Sequence, residues 1–239
     1  MAKKKAKKID IKKLIPIIAA ALAVIIIVVS VLWQVNTTGE QTAKNAGVLV
    51  YIDPGHGGND AGASSLDGSR LEKDDTLKLA LRVSDILHEK GVRTQLSRSV
   101  DERVELDARW QEANEINAAL FVSIHRNSAT TGNGVEIWVQ STKPKEDTLL
   151  ANNIMKQLEK AEISKNRGVR FGYMGNPKSD YAVNKGSEMP SCLIELGFIT
   201  NDEDNELFDK NFEKYANAIA NGIVKTVNDL NLKPESEEV

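Results

Sequence analysis

The stretch VLVYIDPGHGGNDAG, residues 48–62, is a run of apolar residues that ends in a glycine-rich loop carrying one histidine. A short apolar run bounded by turn signals is typical of a strand that is buried on both faces. A turn needs one or two glycines, whereas this loop places three around His56. The stretch therefore predicts a buried strand over residues 47–53 that delivers a histidine at its carboxyl end.

Strand-like and helix-like segments alternate after this first strand. The predicted helices are 72–91, 104–118, 146–163 and the amphipathic segment from Phe212 to Leu230, and the predicted strands are 92–98, 119–125, 134–140 and 191–198. Continuous apolar strands separated by helices favour a largely parallel sheet that is covered on both faces. We therefore expect a single α/β domain over residues 47–232, with a mixed, mostly parallel central sheet, and a flexible tail at 233–239.

The first 35 residues differ in composition from this domain. Residues 1–13 contain seven lysines and one aspartate, and residues 14–33 carry no charge. Twenty apolar residues in a helix rise about 30 Å, the thickness of the hydrocarbon core of a bilayer. Because lysines favour the cytoplasmic side, we expect a cytoplasmic basic segment, one transmembrane helix over 14–35, a linker over 36–46 and an extracytoplasmic domain. A cleaved signal peptide is the alternative, but residues 34–46 offer no good cleavage site.

The charge of the chain is distributed unevenly. The net charge is −3, but residues 34–239 carry −9 because residues 1–13, with seven lysines and one aspartate, contribute +6. An acidic domain argues against nucleic acid as the partner. The single cysteine, Cys192, excludes an intrachain disulfide framework.

Imidazole and carboxylate side chains occur where the predicted strands end. His56 follows the first strand, His125 ends the segment ALFVSIH, and Glu195 lies within SCLIELGF. Ligands gather at the carboxyl ends of strands in open α/β sheets, so we expect these residues to converge. Two histidines and a carboxylate can hold a catalytic zinc ion, and Glu72, which opens the helix after the glycine loop, is the candidate third ligand. Glu195 would then be free to accept a proton from water.

The spacing alone leaves other interpretations open. His56 could be an ordinary loop residue, since no compact motif such as H-E-x-x-H is present. Glu72 could simply interact favourably with the helix dipole. An unpaired carboxylate is costly in an apolar strand, so Glu195 could instead form a salt bridge with Arg98 or Arg109. The glycines could cradle a phosphate, but the loop matches neither G-x-G-x-x-G nor the Walker pattern.

Seven sequence blocks occur in an order that resembles a known family: IDPGHGGNDAGA, LEKDDTLKLALRVSDIL, QLSRSVD, LDARWQEAN, LFVSIHRNS, GVEIWV and MPSCLIELGFITNDEDNELF. From about residue 48 to about residue 228 the chain resembles the zinc-dependent N-acetylmuramoyl-L-alanine amidases of the amidase-3 family. These bacterial enzymes cut peptidoglycan at the amide bond between the lactyl group of N-acetylmuramic acid and L-alanine of the stem peptide. The resemblance implies a single α/β domain with a mixed sheet. It further implies that His56, Glu72 and His125 bind Zn²⁺ and that Glu195 is the catalytic acid/base.

Two other functions stay open beside the amidase. Another zinc-dependent cell-wall peptidase would share the metal ligands and differ only in the cleft. A catalytically weak, membrane-tethered wall-binding protein is favoured only if one of the four site residues is missing, and all four are present. A protein activator could be required, and nothing in the sequence names it.

The chain departs from the family pattern at two places. Arg126 follows the second histidine, where the family often has a small residue, so we expect it to affect which muropeptides fit the cleft. Some relatives carry a helix that plugs the active site. The span from Asn127 to Lys145 is too short to hold such a helix in addition to its strand, so we expect no internal plug.

Overall fold

The computed structural model describes residues 22–31, 47–174 and 176–234. Helix α1 covers residues 22–31, and the described residues from 47 onward belong to one compact unit. The strands and helices of this unit, in chain order, are β1 (Leu49–Pro54), α2 (Glu72–Glu89), β2 (Arg93–Leu96), α3 (Leu106–Glu115), β3 (Leu120–Asn127), β4 (Val135–Val139), α4 (Lys145–Lys160), β5 (Asn166–Phe171), α5 (Ala182–Gly186), β6 (Ser191–Phe198), α6 (Asp202–Lys210) and α7 (Phe212–Asp229).

The central sheet has the strand order β2-β1-β3-β6-β4-β5. All neighbouring strands are parallel except β4 and β6, which run antiparallel. The carboxyl ends of β1, β3 and β6 therefore lie at the same edge of the sheet, and the register places His125 beside Glu195. The prediction of a mixed, mostly parallel α/β sheet is confirmed.

Each central strand contributes to two separate cores, because alternate side chains of a strand point to opposite faces. Val50 and Ile52 of β1 pack in the larger core with α2, α4 and α7. Tyr51, between them, packs in the smaller core with α3 and α5, where its ring stacks on Phe121 at a centroid distance of 5.3 Å. Helices therefore cover both faces, as predicted.

Three short elements, β5, α5 and α6, were not predicted. Strand β5, with the sequence NRGVRF, lies at an edge of the sheet and is only partly buried, so it lacks a continuous apolar run. The span from Asn127 to Lys145 contains β4 and turns but no helix.

The prediction of a transmembrane helix over residues 14–35 is corrected. Helix α1 is described over residues 22–31. Within the described ranges, no helix is long and apolar enough to cross a membrane. The other residues of the predicted segment lie outside the described residues, as do the predicted basic segment at 1–13 and the predicted linker at 36–46.

Candidate active site

The glycine loop after β1 is packed tightly against the site. His56 has a φ of 62°, in the left-handed region that non-glycine residues rarely adopt. A Cβ atom on Gly55 would lie 2.2 Å from the ring of His125. A Cβ atom on Gly62 would lie 2.7 Å from both Glu72 and His56. These glycines are therefore needed because the loop backbone approaches the imidazole and carboxylate side chains closely.

Two buried arginines donate hydrogen bonds to backbone carbonyls of this loop. Arg98 donates a hydrogen bond to the carbonyl of Gly55 at 3.0 Å, and Arg109 donates one to the carbonyl of His56 at 2.8 Å. Arg109 also forms a buried ion pair with Asp53, at 2.6 Å. Both guanidinium groups bind the loop. The alternative in which Glu195 forms a salt bridge with Arg98 or Arg109 is therefore wrong.

His56, Glu72 and His125 come together at the edge of the sheet, with candidate ligand atoms within 4.8 Å of one another. Glu72 Oε1 lies 3.2 Å from Nε2 of His56 and 3.0 Å from Nδ1 of His125. Burial opposes ionisation of Glu72, but its hydrogen bonds with the two imidazoles outweigh burial and lower its pKa. An ionised carboxylate and two imidazoles are the donor set of many catalytic zinc sites, so these residues fit the ion.

Asp60 supports His56 from outside this group. Its Oδ2 lies 3.0 Å from Nδ1 of His56, and its Oδ1 accepts a hydrogen bond from the amide of Gly62 at 3.1 Å. A metal-binding histidine usually donates its second ring nitrogen to such a group, which fixes its tautomer and orientation. Asp60 was not among the predicted site residues, although its position four residues after His56 in the same loop was a usable signal.

Glu195 lies on β6 directly beside His125 of β3. The residue is 9% exposed, and its Oε2 has no hydrogen-bond partner among the described residues. Burial raises the pKa of Glu195 well above its usual value, and the charges of Glu72 and Glu136 raise it further. The charge of Arg126 lowers this pKa only in part, so the site holds a buried carboxyl group without a salt-bridge partner among the described residues.

A second buried glutamate, Glu136 of β4, is the register partner of Glu195. Its carboxylate accepts hydrogen bonds from Asn127 at 2.9 Å, from the Trp138 indole at 3.2 Å and from Arg167 at 2.7 Å. Glu136 was also not predicted, although a charge within the apolar run GVEIWV is the same signal that singled out Glu195.

Arg126 is one of the residues that line the cleft, but its guanidinium group is buried against neighbouring side chains. Its side chain is 1% exposed, pairs with Asp75, donates to Asn205 at 2.7 Å and lies over the ring of Phe208. Its backbone amide donates to Oε1 of Glu72 at 3.0 Å. Arg126 therefore supports the Glu72 carboxylate through its amide, and its effect on which muropeptides fit the cleft stays a prediction.

The site side chains open into a cleft of about 750 Å³. This volume lies in the range of small-molecule sites, about 300–1,000 Å³. Besides the histidines and glutamates of the site, the lining includes Arg103, Leu106, Tyr173 and Tyr181. The cleft thus offers room for a substrate next to a possible metal site and an unneutralised carboxyl group, which suits metal-assisted hydrolysis.

Comparisons with known proteins agree with this chemistry. The family model of N-acetylmuramoyl-L-alanine amidases matches residues 50–225. The Bacillus subtilis protein YqiI is 41% identical over 181 residues, which cover 74% of this chain and 84% of YqiI. The probable cell wall amidase LytH of Staphylococcus epidermidis is 33% identical, over 74% of this chain and 57% of LytH.

Solved structures of amidases also resemble this chain. The N-acetylmuramoyl-L-alanine amidase AmiC2 of Nostoc punctiforme matches with a TM-score of 0.66 and 39% identity, over 77% of this chain and 99% of that one. The amidase CwlD of Clostridioides difficile, solved in complex with the GerS lipoprotein, matches with a TM-score of 0.67 and 28% identity, over 76% and 98% of the two chains.

The family match and the site coincide. His56, Glu72, His125 and Glu195 all fall within the matched residues 50–225. The structure brings the two histidines and Glu72 together, with Glu195 beside them, although they are far apart in sequence. Because the match also covers well over half of the chain, the chain belongs to the N-acetylmuramoyl-L-alanine amidase family of peptidoglycan hydrolases.

Proposed function

We propose that the chain cleaves the amide bond between the lactyl group of N-acetylmuramic acid and L-alanine by means of a zinc ion and a general base. His56, Glu72 and His125 hold the ion, and Glu195 is the base. The observation that carries this proposal is the buried carboxyl group of Glu195, whose Oε2 has no partner among the described residues and which lies beside the His–Glu–His group.

The residues of the chain divide the chemistry between them. Zinc, when bound, lowers the pKa of water toward about 7 and polarises the substrate carbonyl. Glu195 accepts the proton that water loses on attacking the lactyl carbon, and then gives it to the nitrogen of the departing L-alanine. Burial and the charges of Glu72 and Glu136 raise the pKa of Glu195, so its carboxyl group holds a transferred proton more readily than an exposed glutamate would. Asp60 keeps the ring of His56 in one orientation.

The two alternative functions, a zinc-dependent peptidase and a wall-binding protein, differ in the site residues that they require. A zinc-dependent peptidase could use the same four residues, so only the products separate it from an amidase. A protein that only binds the wall needs no unneutralised carboxyl group beside a possible metal site. Peptidoglycan lies outside the cytoplasmic membrane, so the proposed reaction takes place there.

The need for a protein activator stays a prediction for this chain. The solved relative CwlD is in complex with a lipoprotein, which is a property of that protein. The hydrolysis rate of the purified chain, measured without any other protein, is the direct measurement. A rate that rises only when a wall-associated protein is added would support the need for an activator.

Product analysis tests the proposed reaction. Purified peptidoglycan is digested with the full chain, and the products are identified by mass spectrometry. We expect stem peptides that begin with a free L-alanine, glycan without peptides, no reaction with a chelator, and recovery when zinc is added. Cleavage between two amino acids of the stem would overturn the bond assignment. A full rate in a preparation shown by elemental analysis to be free of metal would overturn the zinc mechanism.

A further inference from the structure

A second groove, of about 570 Å³, lies beside the catalytic cleft. We call it the β5 groove and define it by Trp138, Lys143, Arg170, Phe171 and Tyr173. Tyr173 lines both the groove and the cleft, so the two are direct neighbours. A substrate that fills the cleft can therefore extend into the groove.

Aromatic side chains lie where the groove meets the cleft. The ring centroids of Tyr173 and Tyr181 are 4.7 Å apart, and those of Tyr181 and Trp138 are 5.7 Å apart. Tyr173 is 45% exposed, so its ring is accessible to a ligand. Trp138 is also tied to Glu136 by its indole hydrogen bond. Trp138 thus links the groove to β4, the strand that pairs with β6 beside Glu195.

The charge of the β5 groove is positive. Lys143 and Arg170 line it, and no carboxylate does so among the described residues. The Arg170 side chain is 47% exposed and lies 3.8 Å from Glu136, a carboxylate that Arg167 already contacts at 2.7 Å. The charge of Arg170 is therefore only partly balanced, and an anion in the groove can interact with it.

Lys143 is held in an unusual conformation at the rim of the groove. Its φ is 56°, and its amide donates to the carbonyl of Gln140 at 3.0 Å. Its ammonium group lies 4.9 Å from the ring centroid of Phe171, and it has no ion pair within the described part of the chain. Non-glycine residues in this region cost free energy and cluster at functional sites. The turn thus presents an exposed cation without a carboxylate partner.

The chemistry of peptidoglycan shows which part of it suits a cationic groove. The N-acetylated sugars are neutral, and the lactyl carboxyl group is consumed in the amide bond that is cut. The free carboxylates lie on the stem peptide, on its glutamyl residue and at its C-terminus. Strand β5 is at the edge of the sheet, where the backbone is free to pair with an extended peptide.

We propose that the β5 groove binds the carboxylates of the stem peptide, on the leaving side of the scissile bond, through Lys143 and Arg170. This inference rests on the proposed function, because it takes the stem peptide as part of the substrate. The groove then determines specificity: it favours a stem with free carboxylates over a stem whose carboxylates are amidated.

Kinetics with two matched substrates test the groove. Muramoyl tetrapeptide and the same compound with its peptide carboxylates amidated are compared for the wild-type full chain and for the double variant Lys143→Gln/Arg170→Gln. Two exposed ion pairs predict a KM for the charged substrate that is about tenfold higher in the double variant, with kcat unchanged. For the amidated substrate, the wild type and the double variant should have the same KM. The control is Arg93→Gln on the exposed opposite edge strand, β2, which should leave both KM values unchanged.

A binding measurement separates the groove from the reaction. The free stem tetrapeptide is titrated into zinc-loaded protein by calorimetry, which requires no hydrolysis, and we expect about tenfold weaker binding by the double variant. Equal binding of the charged and amidated peptides by the wild type would overturn the inference. An effect confined to intact walls that carry anionic polymers, and absent with soluble peptide, would overturn it as well. Binding of the expected strength without hydrolysis would support the groove and count against the proposed reaction.

Discussion

Glu136 and Glu195 are register partners on neighbouring strands and are both buried, yet their surroundings are opposite. Glu136 accepts hydrogen bonds from Asn127, Trp138 and Arg167. Oε2 of Glu195 has no partner among the described residues. A carboxylate that is fully hydrogen-bonded holds structure together, whereas one that is buried without compensation has a raised pKa and is available for proton transfer.

The difference follows from the position of each strand in the sheet. Strand β4 lies next to β5, which supplies Arg167 to Glu136. Strand β6 lies between β3 and β4, and the charges that raise the pKa of Glu195 are the carboxylates of Glu72 and Glu136. Burial and like charge thus act together on one glutamate, while an arginine neutralises the other.

The largest expected effect comes from Glu195→Gln. Glutamine has nearly the same shape but cannot accept the proton, so the hydrolysis rate should fall about 10²–10⁴-fold. Zinc content should stay near that of the wild type, because the three proposed ligands are untouched. The melting temperature should not fall, because a neutral amide replaces an uncompensated carboxyl group. The three quantities should be measured on the same sample. Loss of zinc would make Glu195 a ligand, and retained activity would remove it from the mechanism.

The second-largest effect is expected for Asp60, whose carboxylate is hydrogen-bonded to His56. Asp60→Asn weakens its hydrogen bond with His56 and should lower zinc affinity about 10–100-fold. Competition with a coloured chelator measures this affinity, and activity should recover when zinc is in excess. Asp67→Asn is the matched control, because Asp67 lies in the same segment and its side-chain hydrogen bonds within the described part of the chain are to Ser65 and Ser69. Equal affinities of the two variants would show that Asp60 does not position the ligand.

A smaller effect is expected for Glu136→Gln. The change removes the ion pair with Arg167, whose side chain is 28% exposed and can be hydrated, so the free energy of unfolding should fall by about 1–2 kcal/mol. The rate at the optimal pH should change less than tenfold. Denaturant unfolding and peptidoglycan hydrolysis measure the two effects. A loss of activity as large as that of Glu195→Gln would abolish the distinction between the two glutamates.

The smallest effects are on pH dependence. Because the folded pKa of Glu195 is raised, the native state of the zinc-free protein holds a proton that the unfolded state has lost above its usual pKa of about 4.3. Stability should therefore fall as the pH rises above that value, and Glu195→Gln should show a smaller fall. Glu136→Gln removes a charge that raises this pKa, so the acid limb of its pH–rate profile should move to lower pH. Parallel stability curves for wild type and Glu195→Gln would contradict the assignment.

The sequence predicts well the parts of the fold that are buried on both faces. Strands β1 and β6 consist mostly of apolar residues and are buried along nearly their whole length, and their predicted positions differ from the observed ones by no more than two residues. Strand β5 was missed because an edge strand is partly solvated and lacks that pattern. The transmembrane prediction rested on the length and apolarity of residues 14–33 and on the lysine run before them, and more than half of the predicted segment 14–35 lies outside the described residues.

The sequence also predicts only part of the candidate site. His56, His125 and Glu195 were found because they stand at strand ends or interrupt an apolar run, and Glu72 was found because it opens the helix after the glycine loop. The family resemblance then pointed to the same four residues. Their closeness depends on sheet order, which a single sequence does not reveal. Glu136 produced the same signal as Glu195, and only the structure shows that its charge is satisfied by neighbours.

The place of β6 in the sheet has a consequence for the synthesis of the chain. Strand β6 is the last strand to be made, but it lies between β3 and β4 in the centre of the sheet. A chain that ends before Ser191 therefore lacks both Glu195 and the strand that joins the two halves of the sheet. Such a nascent or truncated chain cannot complete the site. A potentially destructive wall hydrolase built in this order stays inactive until almost its whole length has been synthesised and folded.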